Sequence, residues 1–275
     1  MSSLSSTSDR LFTAALGAVL GMYVLLLLVL LLADASFIRW ADLRQCWADE
    51  ALRASFRLTL VSCTLSALLA VLVALPSAYI LARCRFFGKA FVEVICDIPI
   101  ILPPLVLGVS FLILVNHVRL GGASLEEWVG RWSGGAFGIT FQVAAVILCQ
   151  FTVAAAYCIR SLRGVFEEIS PRTEAVALTL GCSRSQAFWR VVLPESRRGI
   201  GSAFTMAWAR SLGEFGPLLV FAGITPFKTE VLSSSVYLRF TTGDLHGAVA
   251  VSLLMISVAL GVLLTLRLLS RRAQP

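Results

Sequence analysis

Arg210 and Glu214 stand four residues apart inside an apolar run, which puts both on one face of a helix. Charges at that depth are costly unless they pair or face water, so the two are either a structural ion pair between helices or the lining of a polar path. Both readings keep the pair away from lipid. Asp97 is the other acid deep in an apolar run, with Glu93 near that run's end. Nothing around these groups equips them for catalysis. There is no H-E-x-x-H, no G-x-S-x-G and no Ser–His pair placed for nucleophilic attack. The G-x-x-x-x-G-K-[ST] phosphate loop is missing, because Gly88-Lys89 lacks the upstream glycine. His117 and His246 stand alone in separate loops, so no metal site is expected.

The elements that must hold these charges are membrane spans. The chain is 58% hydrophobic and 14% charged, against about 25% charged in a soluble domain. Its mean hydropathy is +0.86. The net charge of +7 sits between apolar runs, as loop charge does, and is no signal for nucleic acid. The seven cysteines include no C-x-x-C pair and are odd in number, so they read as small buried hydrophobes rather than a disulfide framework.

A spanning helix needs roughly 20 mostly apolar residues. Six segments qualify, at about 11–33, 58–82, 90–115, 139–159, 200–223 and 247–266. Ala33-Asp34-Ala35 mimics a cleavage site, but the first run is long for a signal-peptide core and reads as an uncleaved span. With the N-terminus inside, the inside segments hold most of the Arg and Lys, including seven arginines between Arg160 and Arg198. That excess predicts cytoplasmic N- and C-termini.

The inside loop at 160–199 is too long to be structureless. Ser170-Pro171 is a helix start with proline at the first position. Ala175, Val176, Leu178 and Thr179 offer a small apolar face, Gly181 interrupts it, and Ser183 can cap a second short helix over 184–192 that Pro194 ends. Glycine suits the joint because it takes positive φ without steric cost. The spacing alone fits either a pair of helices that touch a cytoplasmic partner or amphipathic surface helices with none.

The loop resembles the EAA loop in membrane subunits of binding-protein-dependent ABC importers. Glu174, Ala175 and Ala177 stand for the Glu-Ala-Ala element, Gly181 for its glycine, and Val191-Val192-Leu193-Pro194 for the closing Ile-x-Leu-Pro. Val176 and Val191 depart mildly from that pattern, and Glu174 lies seven residues before the glycine, as in the Glu-x-Ala-Ala variant. The resemblance implies an all-α, type I ABC importer transmembrane-domain fold over 1–275, with 160–199 as the coupling loop. It implies a pore-forming subunit that is no enzyme. ATP and Mg²⁺ would be bound by a cytoplasmic ABC ATPase present in two copies, and this chain would carry no cofactor. An extracytoplasmic substrate-binding protein and a second permease subunit, in a homodimer, would complete the complex. The location implied is the cytoplasmic (inner) membrane of a bacterium or archaeon.

Two further stretches narrow the resemblance. Residues Arg210 to Gly216 are similar to the Arg-x-Leu-Gly-Glu-Phe-Gly stretch of molybdate and sulfate permeases, with Pro217 standing where those have a small residue. Asp97-Ile98-Pro99, Pro103-Pro104 and Gly108 resemble the same group. The prolines read as a packing kink or as a kink that shapes a constriction. Asp97, Pro103, Pro104, Arg210, Glu214 and Phe215 are therefore the pathway or gate residues that the resemblance implies. Molybdate or tungstate is the implied cargo, with sulfate or thiosulfate as the alternative and another binding-protein-delivered solute after them. A secondary transporter is the distant alternative, and the chain lacks the inverted repeat that such folds often show.

Overall fold

The computed structural model describes residues 7–135 and 137–272. Helices dominate. In chain order they are α1 (Thr7–Phe37), α2 (Trp40–Ala48), α3 (Glu50–Arg83), α4 (Lys89–Ile101) and α5 (Pro104–Asn116). A two-residue hairpin follows, β1 (Arg119–Leu120) antiparallel to β2 (Ala123–Ser124). Then come α6 (Leu125–Trp132), α7 (Val143–Glu168), α8 (Pro171–Thr179), α9 (Arg184–Ala187), a π-helical turn at Phe188–Val192 and α10 (Leu193–Leu212). A second π-helical turn (Leu218–Ala222), α11 (Leu232–Thr241) and α12 (Leu245–Arg272) complete the chain.

The core is made of small residues on long helices. Cys63, Ala67, Ala70, Ala74 and Ala78 recur every three or four residues along α3 and are fully buried. They meet Ala154, Cys158 and Leu162 of α7 and Ala203 and Ala207 of α10. Between helices in lipid there is little hydrophobic drive, so close backbone approach and interhelical hydrogen bonds do the holding. The same face of α3 turns polar toward its start. There Thr59 Oγ1 accepts from the Leu232 amide at 2.9 Å, and Ser66 Oγ donates to the Ile147 carbonyl at 3.2 Å. These residues are buried, and each polar group finds a partner.

Among the described residues, four helices are long and apolar enough to span a membrane, at Asp9–Phe37, Glu50–Arg83, Val143–Glu168 and Leu245–Thr265. The other two expected spans are broken. In place of one kinked helix over 90–115 stand α4 and α5, bent by 110° at Leu102–Pro103, and together they make a fifth candidate. Pro103 forces the bend by excluding the helical conformation from the residue before it and by lacking an amide hydrogen. The segment expected over 200–223 starts earlier, at Leu193, and stops at Leu212. Glu195, Arg197 and Arg198 make its beginning polar, and Gly213 to Pro217 interrupt its apolar end. Pro194 does not end the helix before it. It lies in the first turn of α10, directly after the π-helical turn that leads into it. Residues 1–6 and 273–275, at the two termini, lie outside the described residues.

Candidate functional site

The loop between α7 and α10 is built from local signals. Ser170 Oγ accepts from the Arg172 amide and starts α8 behind Pro171. The helix ends where Gly181 adopts φ +88°, with the Cys182 amide donating to Ala177 O at 3.1 Å and the Gly181 amide to Leu178 O at 3.0 Å. That double bond is a Schellman closure, which needs the left-handed residue. Ser183 and Gln186 then form a capping box that starts α9. Helical structure runs on from α9 through Val192 into α10.

Glu174 faces inward. Arg83 Nε donates to its Oε1 at 2.6 Å and Tyr79 Oη to its Oε2 at 2.8 Å. Arg83 Nη2 also donates to Ile169 O at 2.8 Å, so one guanidinium holds both the end of α7 and the start of α8 against α3. The Tyr79 ring packs edge-on against Phe166 and Phe188. Ala177 is buried beneath α8, while Ala175, Val176, Leu178 and Leu180 are exposed, as is Trp189. Leu193 is half-buried and Pro194 exposed. The clamp therefore fixes one face of the loop and leaves an apolar face uncovered. Between α3 and the loop lies a cavity of about 750 Å³, lined by Leu72, Pro76, Tyr79, Arg83, Phe188 and Trp189 among others.

The second cluster sits where α10 breaks. Gly216 lies against Pro104, and Gly108 lies against Pro217. A Cβ added at Gly216 would stand 2.5 Å from Pro104 Cβ, and one at Gly108 would stand 2.9 Å from the backbone of Pro217. Two glycine–proline contacts thus lock the start of α5 onto the break. Phe111 and Phe221 stack beside them, with centroids 5.3 Å apart. Arg210 Nη1 lies 2.6 Å from Glu214 Oε2. No other polar group reaches that oxygen among the described residues. Glu214 is 1% exposed at its side chain and Arg210 30% exposed. The guanidinium rests over the Tyr157 ring at 5.7 Å, Ser233 Oγ donates to the Glu214 carbonyl at 2.7 Å, and Phe215 packs on Tyr237 at 4.9 Å.

The expected pathway residues do not all meet. Pro104, Arg210, Glu214 and Phe215 share the break, and Pro103 caps α5 beside it. Asp97 lines a separate polar pocket with Glu93, Arg160, Arg163 and Glu167. In that pocket Arg163 bridges Glu93 at 3.0 Å and Glu167 at 2.8 Å. Tyr79, Arg83, Tyr157 and Ser233 were not singled out from the sequence. Tyr79 and Arg83 did carry a signal, since donors four residues apart at a helix end can grip one acid.

The family described as the binding-protein-dependent transport system inner membrane component matches residues 70–274. The chain belongs to this family. It is therefore a multi-pass inner-membrane component, the pore-forming subunit of an ABC importer, and it works with a separate ATPase and a binding protein. It is 38% identical over 199 residues to the molybdenum transport system permease protein ModB of Mycobacterium tuberculosis, covering 72% of each chain. It is 30% identical over 262 residues to the molybdate/tungstate transport system permease protein WtpB of Thermococcus kodakarensis, covering 94% of this chain and 95% of that one. It is 28% identical over 265 residues to the sulfate transport system permease protein CysT of Escherichia coli, covering 95% and 93%. A chain in the crystal structure of a bacterial alginate ABC transporter, in complex with an alginate pentasaccharide-bound periplasmic protein, superposes with a TM-score of 0.75 at 18% identity. The superposition covers 96% of this permease and 95% of that chain, and it establishes the shared fold.

Proposed function

We propose that this permease forms the translocation pathway of an ATP-driven importer of molybdate or tungstate. The observation that carries the reading is its 38% identity to a molybdenum permease over 199 residues. The 30% match to a molybdate/tungstate permease, which runs nearly end to end, supports the same cargo. Sulfate is the second reading, favoured by the match to the sulfate permease over 95% of this chain. A binding protein outside the membrane would select the solute and the permease would conduct it.

In this reading two copies of the permease pair with two ATPase subunits, which bind the ATP and Mg²⁺. Both termini and the loop at 160–199 face the cytoplasm. The exposed Val176, Leu178, Leu180 and Trp189 offer the apolar surface for the ATPase. Closure of the ATPase pair would push that surface, and the Glu174–Arg83–Tyr79 clamp would pass the displacement to α3 as a lever. Because α3 packs on α7 and α10 through small residues, its motion would reach the break at Gly213–Pro217.

The test is uptake in a host without its own high-affinity oxyanion systems. The permease is expressed with the ATPase and binding protein encoded beside it, and cellular molybdenum, tungsten and labelled sulfate are measured at low external concentration. Selective molybdenum or tungsten accumulation that a Gly181→Pro variant loses supports the reading. Accumulation of sulfate alone moves the assignment to the second reading. An assembled, ATP-hydrolysing complex that accumulates none of the three refutes the oxyanion assignment.

A further inference from the structure

We propose that Arg210 is an exchangeable anion contact in the pathway, held on Glu214 when the path is empty and handed to the oxyanion as it passes. This rests on the oxyanion reading above.

Four observations carry the inference. The pair is lopsided, with a carboxylate that is 1% exposed and a guanidinium that is 30% exposed. The acid is buried in the break, and the base is partly exposed. Next, the Arg210 guanidinium at 2.6 Å is the one polar partner of Glu214 Oε2 among the described residues. A pair kept for stability alone is expected to satisfy the buried carboxylate from more than one side, since a buried charge is otherwise poorly compensated. Third, a guanidinium over an aromatic face keeps a favourable surface on which to pivot when its counter-ion changes. Last, the break supplies neutral donors nearby. Tyr157 lies under Arg210, and Tyr237 lies against Phe215.

The chemistry fits a tetrahedral dianion. Its oxygens accept from guanidinium and hydroxyl donors, and a bidentate guanidinium contact is the strong form of that bond. A lone arginine deep in a membrane would trap such an ion. Glu214 prevents this, because it competes for the guanidinium and repels the anion once Arg210 turns back. Conduction needs binding strong enough to enter and weak enough to leave. The i, i+4 spacing beside Gly213 lets the two states differ by a side-chain rotation rather than a helix movement.

The experiment measures molybdate, tungstate and sulfate uptake by the complete transporter carrying Glu214→Gln, Arg210→Gln, or both. Co-purification with the ATPase reports assembly. The exchange predicts that Glu214→Gln lowers KM and slows turnover together, each by roughly tenfold, because the released arginine holds the anion longer. The double variant buries no unpaired charge and is expected to assemble, yet uptake falls by about 100-fold, the loss expected for a charge-assisted contact. Near-normal uptake by the double variant overturns the inference and makes the pair structural. So does a Glu214→Gln variant whose KM and turnover stay as in the parent. If the parent transporter accumulates none of the three anions, the oxyanion reading fails and the exchange fails with it. Parental uptake with a fully active double variant sinks the exchange alone.

Discussion

Glu174 Oε1 lies 2.6 Å from Arg83 Nε, so the acid that opens the loop motif is bound to the last turn of a membrane helix. Both side chains are largely buried, at 14% and 12% exposure. The glutamate is an anchor for the lever, and the ATPase-facing surface lies on its neighbours. Glu174→Ala leaves the guanidinium short of a partner and costs about 2 kcal/mol, the worth of a hydrogen bond to a charged group. The expected outcome is a lowered thermal midpoint in detergent and slower uptake at normal expression. Pairing Glu174→Arg with Arg83→Glu is expected to regain part of both. A Glu174→Ala transporter as stable and as fast as the parent would remove the clamp from the coupling path.

Gly181 holds φ +88°, and a Cβ there would meet nothing within 4 Å. The penalty for a side chain is therefore one of backbone conformation alone. Gly181→Ala is expected to cost about 1 kcal/mol, and Gly181→Asn less, since asparagine tolerates the left-handed region. Gly181→Pro is worse, because it cannot reach that φ and it deletes the amide that bonds Leu178 O. Uptake rates ranked Gly, Asn, Ala, Pro check the order. An alanine variant slower than the proline variant would contradict it.

The loop was legible in the sequence because its signals are local. Ser170-Pro171, Gly181 and Ser183 each act within four residues, and the structure uses each where spacing put it. The broken spans were less legible. Hydropathy registers the apolar content of 90–115 and is blind to the direction change at Leu102–Pro103. The charged start of α10 hid its true beginning at Leu193. The partners of Glu174 come from a helix about 90 residues earlier, and no local rule reaches that far. Asp97 is a case of placement that the sequence does not give. Being an acid in an apolar run grouped it with Arg210 and Glu214, whereas the bend sends it to a pocket with Arg163.

The break also separates two glycines that looked alike. A Cβ at Gly216 would stand 2.5 Å from Pro104 Cβ and 3.2 Å from the Leu105 amide nitrogen. At Gly213 the nearest atom would be the Arg210 carbonyl oxygen at 4.0 Å. Gly216→Ala and Gly108→Ala are expected to cost about 1–3 kcal/mol each through overpacking, while Gly213→Ala is tolerated. Thermal unfolding of the three purified variants distinguishes them. Equal losses at Gly213 and Gly216 would mean that the contact between α5 and the break is loose.

Thiol labelling tests the orientation and the packing at once. Cys84 is exposed just after α3, at the end proposed to face the cytoplasm, whereas Cys46 is 7% exposed on α2, at the opposite end of that helix. Burial pushes the Cys46 thiol up from its ordinary range, with nearby Asp244, Asp49 and Asp42 adding to the rise and Arg239 opposing it. The thiolate is the reactive form, so a raised value leaves less of it at neutral pH. Alkylation of Cys46 is expected to stay slow at pH 7 and to speed up as pH rises toward that shifted value. A membrane-permeant maleimide should modify Cys84 in intact cells, and an impermeant one should reach it only after lysis. Impermeant labelling of Cys84 in intact cells would invert the topology. The loop would then face away from any ATPase, and the coupling role assigned to the Glu174–Arg83 clamp would have no driver.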